Sequence, residues 1–414
     1  LISYQRLMKP LTPLILIILL AASCRQKEGQ QSPKASEAAR GSFAYDLDFL
    51  SQRDSGLVLL RNGTSHVVVS PRYQAKVFTS TATGKAGKSL GWINYKAFDG
   101  KEDPHMNAYG GENRFWLGPE GNVFSLFFKP GTAMVFENWK TPAAFDTEAW
   151  GVVSMDSSQV SMRKQMSLLN YHNITLNLLA ERTVTILDRA RISAIWGVDM
   201  GEAACVGYKT TNRITNTGDF AWTKETGAPC IWILDMFPPS GETQIVIPYD
   251  EQGEGPDATT NYFGTIPAHR MKVRGNMLFL KADGAFRGKV GIPPARASKY
   301  AGSYDASNQI LTITRFDLQG DALYLNQEWN VEAPPFAGDA VNAYNDGPLE
   351  DGSQMGPFYE IESVSPAAFL APGEHLEHAH SVFHFSGSEA DLNRISEVIL
   401  GVRVRDISGA FKNF

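Results

Sequence analysis

Glu360 and Glu362 stand two places apart in residues 356–366 (GPFYEIESVSP), a stretch that reads as extended chain. In a regular strand both carboxylates share one face and Ile361 turns to the other. Two carboxylates held together raise the pKa of at least one of them, which suits proton transfer, although two solvated glutamates would look the same in sequence. Two further segments concentrate polar groups where a β protein has no need of them. Residues 105–121 (HMNAYGGENRFWLGPEG) offer Asn107, Glu112, Arg114 and Glu120 as groups able to bond a substrate, and residues 342–348 (NAYNDGP) offer Tyr344, Asn345 and Asp346. Trp92, Trp116, Trp139, Tyr344 and Phe358 lie near Gly, Asn, Asp or Glu. That mixture of flat apolar surface and planar hydrogen-bonding groups is what a pyranose ring requires, while any single Trp could equally be core. Arg114, Arg287 and Lys289 would match the carboxylate of an acidic sugar, or else neutralise a glutamate of the protein itself.

His378 and His380, with Glu377 and His384 close by, alternate as ligands on one strand face would. Neither an HExxH spacing nor a Cys pair accompanies them, so no metal is expected, and the two histidines are kept as candidate proton-transfer groups. Residues 82–89 (ATGKAGKS) satisfy a permissive phosphate-loop pattern, but LGWINY follows, aromatic and strand-like. A phosphate loop has to open a helix whose N-terminus holds the anion, so a Gly-rich turn is expected here and no nucleotide. No GxSxG elbow is present, which removes support for an α/β serine hydrolase. No cofactor is expected.

The elements that must position these residues are mostly strands. With 414 residues, 43% hydrophobic and 11% aromatic, the chain can bury a large core. Its 38 Lys+Arg against 44 Asp+Glu give a net charge of −6, and no basic block offsets it, so nucleic acid is not an expected partner. Residues 56–60, 66–69, 75–79, 123–128 and 311–315 are short, rich in β-branched or aromatic residues, and punctuated by Gly, Asn, Asp and Pro. Residues 174–179 and 182–187 read as two strands around a tight bend. Helical period is rare. Ser388 with Asp391 makes a capping signal before Leu392, Ile395 and Ile399, with Gly401 as a stop, and Tyr45, Phe49 and Leu50 mark a short helix near the start. No short repeat is visible and no Pro/Ser-rich linker divides residues 42–414, which predicts one all-β unit of two large packed antiparallel sheets.

Near the N-terminus, the apolar run of residues 14–22 is short for a membrane span and ends in Ala21, Ala22, Ser23 and Cys24. Small residues before a Cys predict a lipoprotein signal peptide over residues 1–23 with Cys24 lipidated, although Ala21 stands where Leu is usual. A plain secreted protein cleaved nearby is the other reading. Residues 24–41, polar and poor in large apolar side chains, then read as a flexible tether. The expected location is the bacterial cell envelope, at the periplasmic face of the outer membrane or the cell surface. Cys205 and Cys230 carry no spacing information, and whether they pair stays open.

Residues 110–120, 344–348 and 358–374, together with 89–95, 261–264 and 302–306, resemble in order a family of bacterial lipoproteins without an established reaction. That family is grouped with the galactose-mutarotase-like (aldose 1-epimerase-like) supersandwich proteins. The resemblance implies a β-supersandwich over residues 42–414 and a carbohydrate ligand. Aldose epimerases open and reclose a sugar ring with a base on the anomeric hydroxyl and an acid on the ring oxygen, on opposite sides of the sugar. Glu362 best resembles the family's late-strand base, with Glu360 as the alternative. The acid is normally a His in the central strands, where residues 211–218 (TNRITNTG) have none, which leaves His378 or His380 to replace it. Three readings follow: epimerase-like chemistry at an anomeric carbon, carbohydrate binding without turnover, and glycoside hydrolysis or elimination on the same architecture.

Overall fold

Thr175–Leu187 buries every second residue over most of its length, the period-2 pattern of a strand with one face on a core. It belongs to an antiparallel sheet of ten strands in the computed structural model, which describes residues 38–412. The expected signal peptide, Cys24 and most of the expected tether lie outside the described residues. At the centre of this large sheet Ala204–Asn216 pairs with Thr175–Leu187 on one side and with His375–Ser386 on the other. Its outer edge, Gly151–Met155, is exposed along its whole length.

Five strands make the second layer, in the order Gly288–Ile292, Val341–Asn345, Tyr359–Val364, Cys230–Phe237, Arg114–Gly118. Every pairing in it is antiparallel. The main core lies between the layers, with Ile233, Ile361 and Val341 from the small sheet and Val184, Ile214 and Val382 from the large one. A three-stranded sheet, Val58–Asn62, Ser65–Ser70 and Lys76–Thr81, packs beside the strands Thr175–Leu187 and Ala204–Asn216. The architecture is the all-β, large two-sheet antiparallel sandwich that the strand pattern predicts.

Helices are short; Arg189–Trp196 and those near the C-terminus cover the outer face of the large sheet, and Phe43–Ser51 packs on the three-stranded one. Ser388 caps Glu389–Leu400 by accepting from the backbone N–H of Asp391, Leu392, Ile395 and Ile399 are buried, and Gly401 ends the helix at φ +74°. Phe43–Ser51 is likewise helical, capped by Ser42. Arg189–Trp196 is a helix that the sequence reading missed, yet its marks are there: Asp188 caps it and Gly197 ends it in the left-handed region. Among the described residues no helix is long and apolar enough to cross a membrane.

Two expected strands turn out differently. Residues 123–128 form turns, because the Asn122 side chain accepts from the Phe124 N–H at 2.7 Å and the Ser125 hydroxyl from the Phe127 N–H at 3.0 Å. These local bonds outcompete the ladder that the apolar composition suggests. Residues 174–187 hold no bend: Ala180 and Glu181 continue the ladder on both sides, and Thr175–Leu187 is one strand.

Candidate functional site

Because Tyr359–Val364 is a regular strand, its side chains divide between two environments. Tyr359, Ile361 and Ser363 enter the interlayer. There the Tyr359 and Ser303 hydroxyls bond at 2.8 Å, and the Ser363 hydroxyl lies 2.8 Å from both His378 Nε2 and His380 Nδ1. His380 Nε2 lies 2.7 Å from Asp235 Oδ2, and Asn113 donates to the other Asp235 oxygen at 2.6 Å. Burial pushes the Asp235 carboxyl up, with His380 and Asn113 pulling it back. Burial also drives His378 down to about 3, with the neighbouring His380 adding to the shift. His384 bonds the Thr312 hydroxyl at 2.8 Å and Glu112 at 3.0 Å, and Ser80 donates to the same Glu112 oxygen at 2.7 Å. His378, His380 and Glu112 therefore serve the closed interior. His378 and His380 face Ser363, across the strand backbone from Glu362, so they do not complete an acid–base pair with it. Among the described residues no group of three His, Cys, Asp or Glu side chains is arranged to hold a metal ion. Cys205 and Cys230 are separate buried thiols.

Glu360 and Glu362 take the other face. Cross-strand register gives each a row of neighbours: Lys289, Tyr344, Glu360 and Met236 in one, Gly291, Asn342, Glu362, Leu234 and Arg114 in the next. The ion pairs cross between these rows. Arg114 Nη2, from the Glu362 row, bonds Glu360 Oε1 at 2.5 Å, and Lys289 Nζ, from the Glu360 row, bonds Glu362 Oε2 at 3.0 Å. The Trp232 indole N–H donates to the same Glu362 oxygen at 2.9 Å. Burial pushes the Glu360 carboxyl up to about 7, with Arg114 opposing and Glu362 adding to the rise. Burial works against the charge on Lys289, but Glu362 and Glu120 outweigh it and hold the ammonium above its ordinary range. The Glu120 carboxyl is also raised by burial, against the pull of Lys289.

Aromatic and polar walls stand around this floor. Trp116 packs edge-on to Trp232 at 5.6 Å, and Trp139 stacks with Trp329 at 6.1 Å. Lys289 lies over the Trp232 and Tyr262 rings at 4.9 and 5.4 Å. The Tyr262 hydroxyl donates to Asp339 at 2.6 Å. Asp339 fits there only because position 291 is glycine, where a Cβ would meet its carboxylate oxygen at 1.9 Å. On the opposite side Tyr344 and Trp92 flank Phe358 at 5.7 and 4.7 Å. Arg287 covers Phe263 at 3.9 Å and its Nε donates to the Tyr344 hydroxyl at 3.3 Å.

The fold thus brings Arg114, Trp116, Lys289, Tyr344, Glu360 and Glu362 to one sheet face, with Glu120 in electrostatic reach of Lys289 and Glu362. Asp346 accepts from the Tyr344 hydroxyl at 3.1 Å, while Asn345 ties down the neighbouring loop through Gly284 N–H and Phe286 C=O. Asn107 is taken up in bonding Asp146, whose raised carboxyl faces the buried Lys76, itself lowered to about 7 by burial and by Arg114. Arg114 and Lys289 are both bonded to protein carboxylates, so the expectation of an acidic sugar gains no support from them. Sequence reasoning missed Trp232, Tyr262, Asp339 and Asn342. Trp232 sits in an apolar strand and looks like core, and Asn342 is recognisable only through its register opposite Glu362. Asn342 is 1% exposed, and neither of its amide atoms has a hydrogen-bond partner among the described residues.

Residues 41–411 match a family described as being of unknown function, DUF6786. No curated protein matches the chain. Among solved structures, a galactose mutarotase-like protein from Lactobacillus casei is similar at 11% identity and a TM-score of 0.48, over 80% of this chain and 100% of that one. The Slr1438 protein from Synechocystis is similar at 12% identity and a TM-score of 0.49, over 80% and 96%. A galactose mutarotase related enzyme from Lactobacillus acidophilus is similar at 8% identity and a TM-score of 0.44, over 80% and 98%.

Proposed function

The chain belongs to the DUF6786 family, and for it we propose a carbohydrate-active site on the outer face of the five-stranded sheet, with Glu360 and Glu362 doing acid–base work at an anomeric carbon. The observation that carries this is the pair itself: two buried glutamates on one face, one of them raised to about 7, under aromatic walls. A group that titrates near neutrality can both hold and release a proton at working pH. With the histidines on the far side of the strand, the acid falls to Glu360 and the base to Glu362, whose second oxygen is left by Lys289 and Trp232 to meet a hydroxyl. Unlike the opposed acid and base of aldose epimerases, these two carboxyls share one wall, and they can serve both oxygens because the anomeric hydroxyl and the ring oxygen share one carbon. Trp116, Tyr262 and Tyr344 offer ring surface to sugar C–H groups, and Asn342 offers a donor and an acceptor to a hydroxyl.

Binding without turnover is the second reading, favoured by one observation: the Glu360 and Glu362 side chains are 9% and 1% exposed and each is already bonded to a cation. Polarimetry or exchange NMR on a panel of neutral aldoses separates the two. Accelerated anomer exchange that Glu362→Gln abolishes supports catalysis. Saturable calorimetric binding without any acceleration supports the second reading, and neither signal removes both. Attachment of the protein to the envelope through a lipid on Cys24 is a further part of this proposal, supported by the apolar run and small residues before that Cys. Mass spectrometry of the membrane fraction tests it, and an unmodified Cys24 would exclude it.

A further inference from the structure

A second recess, of about 540 Å³, lies on the outer face of the ten-stranded sheet, on the side turned away from the five-stranded layer. Its size falls within the range of small-molecule sites. Arg191, Lys209, Lys299 and Arg315 all line it, over an apolar base that includes Leu187, Ile195 and Phe383. Two acids share the lining, and both are engaged: Glu377 pairs with Arg213 at 3.1 Å, and Asp317 accepts from the Ala379 N–H at 2.7 Å. None of the four cations is ion-paired to a carboxylate among the described residues; Arg315 lies over the Trp196 ring at 5.7 Å. A chain of net charge −6 therefore gathers four positive side chains, none of them in an ion pair among the described residues, around one hollow that holds two carboxylates.

The strand register gives the hollow an order. Lys209 and Arg315 both stand opposite Ser381, one on each neighbouring strand, so their backbones are about 10 Å apart with a hydroxyl between them. Long side chains converging from both sides of a serine suit a tetrahedral or planar oxyanion. Lys299, next to Tyr300–Asp305, and Arg191, on the helix Arg189–Trp196, add charge from two other elements. The concavity favours a small ligand over a flat membrane surface.

We propose that this recess binds a small ligand carrying at least two oxyanionic groups, sulfate or phosphate esters on a sugar-sized body, with one group held by Lys209, Arg315 and Ser381 and the other by Lys299 and Arg191. The site is independent of the Glu360–Glu362 face and of any reaction there.

Calorimetric titration of the purified protein with a sulfated disaccharide and with a sugar bisphosphate tests it. At least one is expected to bind, to weaken as salt rises, and to lose roughly tenfold or more in affinity in each of Lys209→Gln and Arg315→Gln. Both positions are exposed, and a circular dichroism melt confirms that the variants fold. Binding of inorganic phosphate alone, affinities that the two substitutions leave unchanged, or no binding of either probe would overturn the proposal. So would binding only to vesicles containing anionic phospholipid, which would make the patch a membrane contact.

Discussion

Arg114 reaches diagonally past its own cross-strand row to bond Glu360, while Glu362 in that row is held by Lys289 from the other side. The crossing ties the outermost strands of the small sheet, Gly288–Ile292 and Arg114–Gly118, to its middle strand Tyr359–Val364. Neither carboxylate can be altered without releasing a buried cation.

Removing one partner should therefore cost more than removing both. Arg114→Met leaves Glu360 buried without its hydrogen-bonded cation and is expected to destabilise the protein by about 3–5 kcal/mol in urea unfolding. The double variant Arg114→Met/Glu360→Met should recover most of that loss. A double variant as unstable as the single one would show that Arg114 acts through its packing on Trp116 rather than through the pair.

Glu360 also predicts a pH signature. Its folded-state pKa, about 7, lies above the ordinary carboxylate value of 4.5, so the folded protein binds this proton more tightly than the unfolded chain does. The stability it contributes is full below about 4.5 and is lost as pH rises through about 7. Relative to Glu360→Gln, the wild type should lose stability across that window, and any anomer exchange should change with an inflection near 7 that the variant lacks. Parallel stability curves for the two proteins would contradict the assignment.

His378 gives the opposite slope. Burial lowers it from an ordinary 6.5 to about 3, so below 6.5 the unfolded chain takes up a proton that the folded one refuses. Its contribution is intact above 6.5 and is lost as pH falls from there toward about 3. Melting temperatures of His378→Gln should fall less steeply than those of wild type between pH 6.5 and 4.

Asn342 separates folding from binding. Its amide is buried and has no partner among the described residues, so Asn342→Leu should leave the free protein as stable as wild type or more stable by about 1 kcal/mol. Affinity for a sugar on the Glu360 face should drop roughly tenfold. A large loss of stability with affinity unchanged would place Asn342 in the framework instead.

Much of the fold was legible because strands have a two-residue period, which Thr175–Leu187 follows in its burial and Tyr359–Val364 in its alternation of charged with uncharged side chains. The same rule put Glu360 and Glu362 on one face before any coordinates. It failed at residues 123–128, where Asn122 and Ser125 bond the backbone locally, a competition that composition does not reveal. For the site, types and spacing found Arg114, Lys289, Tyr344 and the two glutamates. They could not show that Lys289 answers Glu362 rather than Glu360, nor that His378 and His380 look away, because those facts depend on which strands become neighbours over long sequence separations. Trp232 was hidden for a simpler reason: an indole that donates to a glutamate is spelled like one that only fills space.

The two-sidedness of Tyr359–Val364 limits how this protein could be rebuilt. Swapping Glu360 or Glu362 for other polar types would free a buried cation on one face while the seam of histidine, serine and aspartate behind it keeps its grip. Inserting or deleting a single residue anywhere in those six would disturb both faces, sending carboxylates into the seam and Ile361 among the cations of the outer face at one stroke. A substitution there disturbs one face of the strand; a change of length disturbs both.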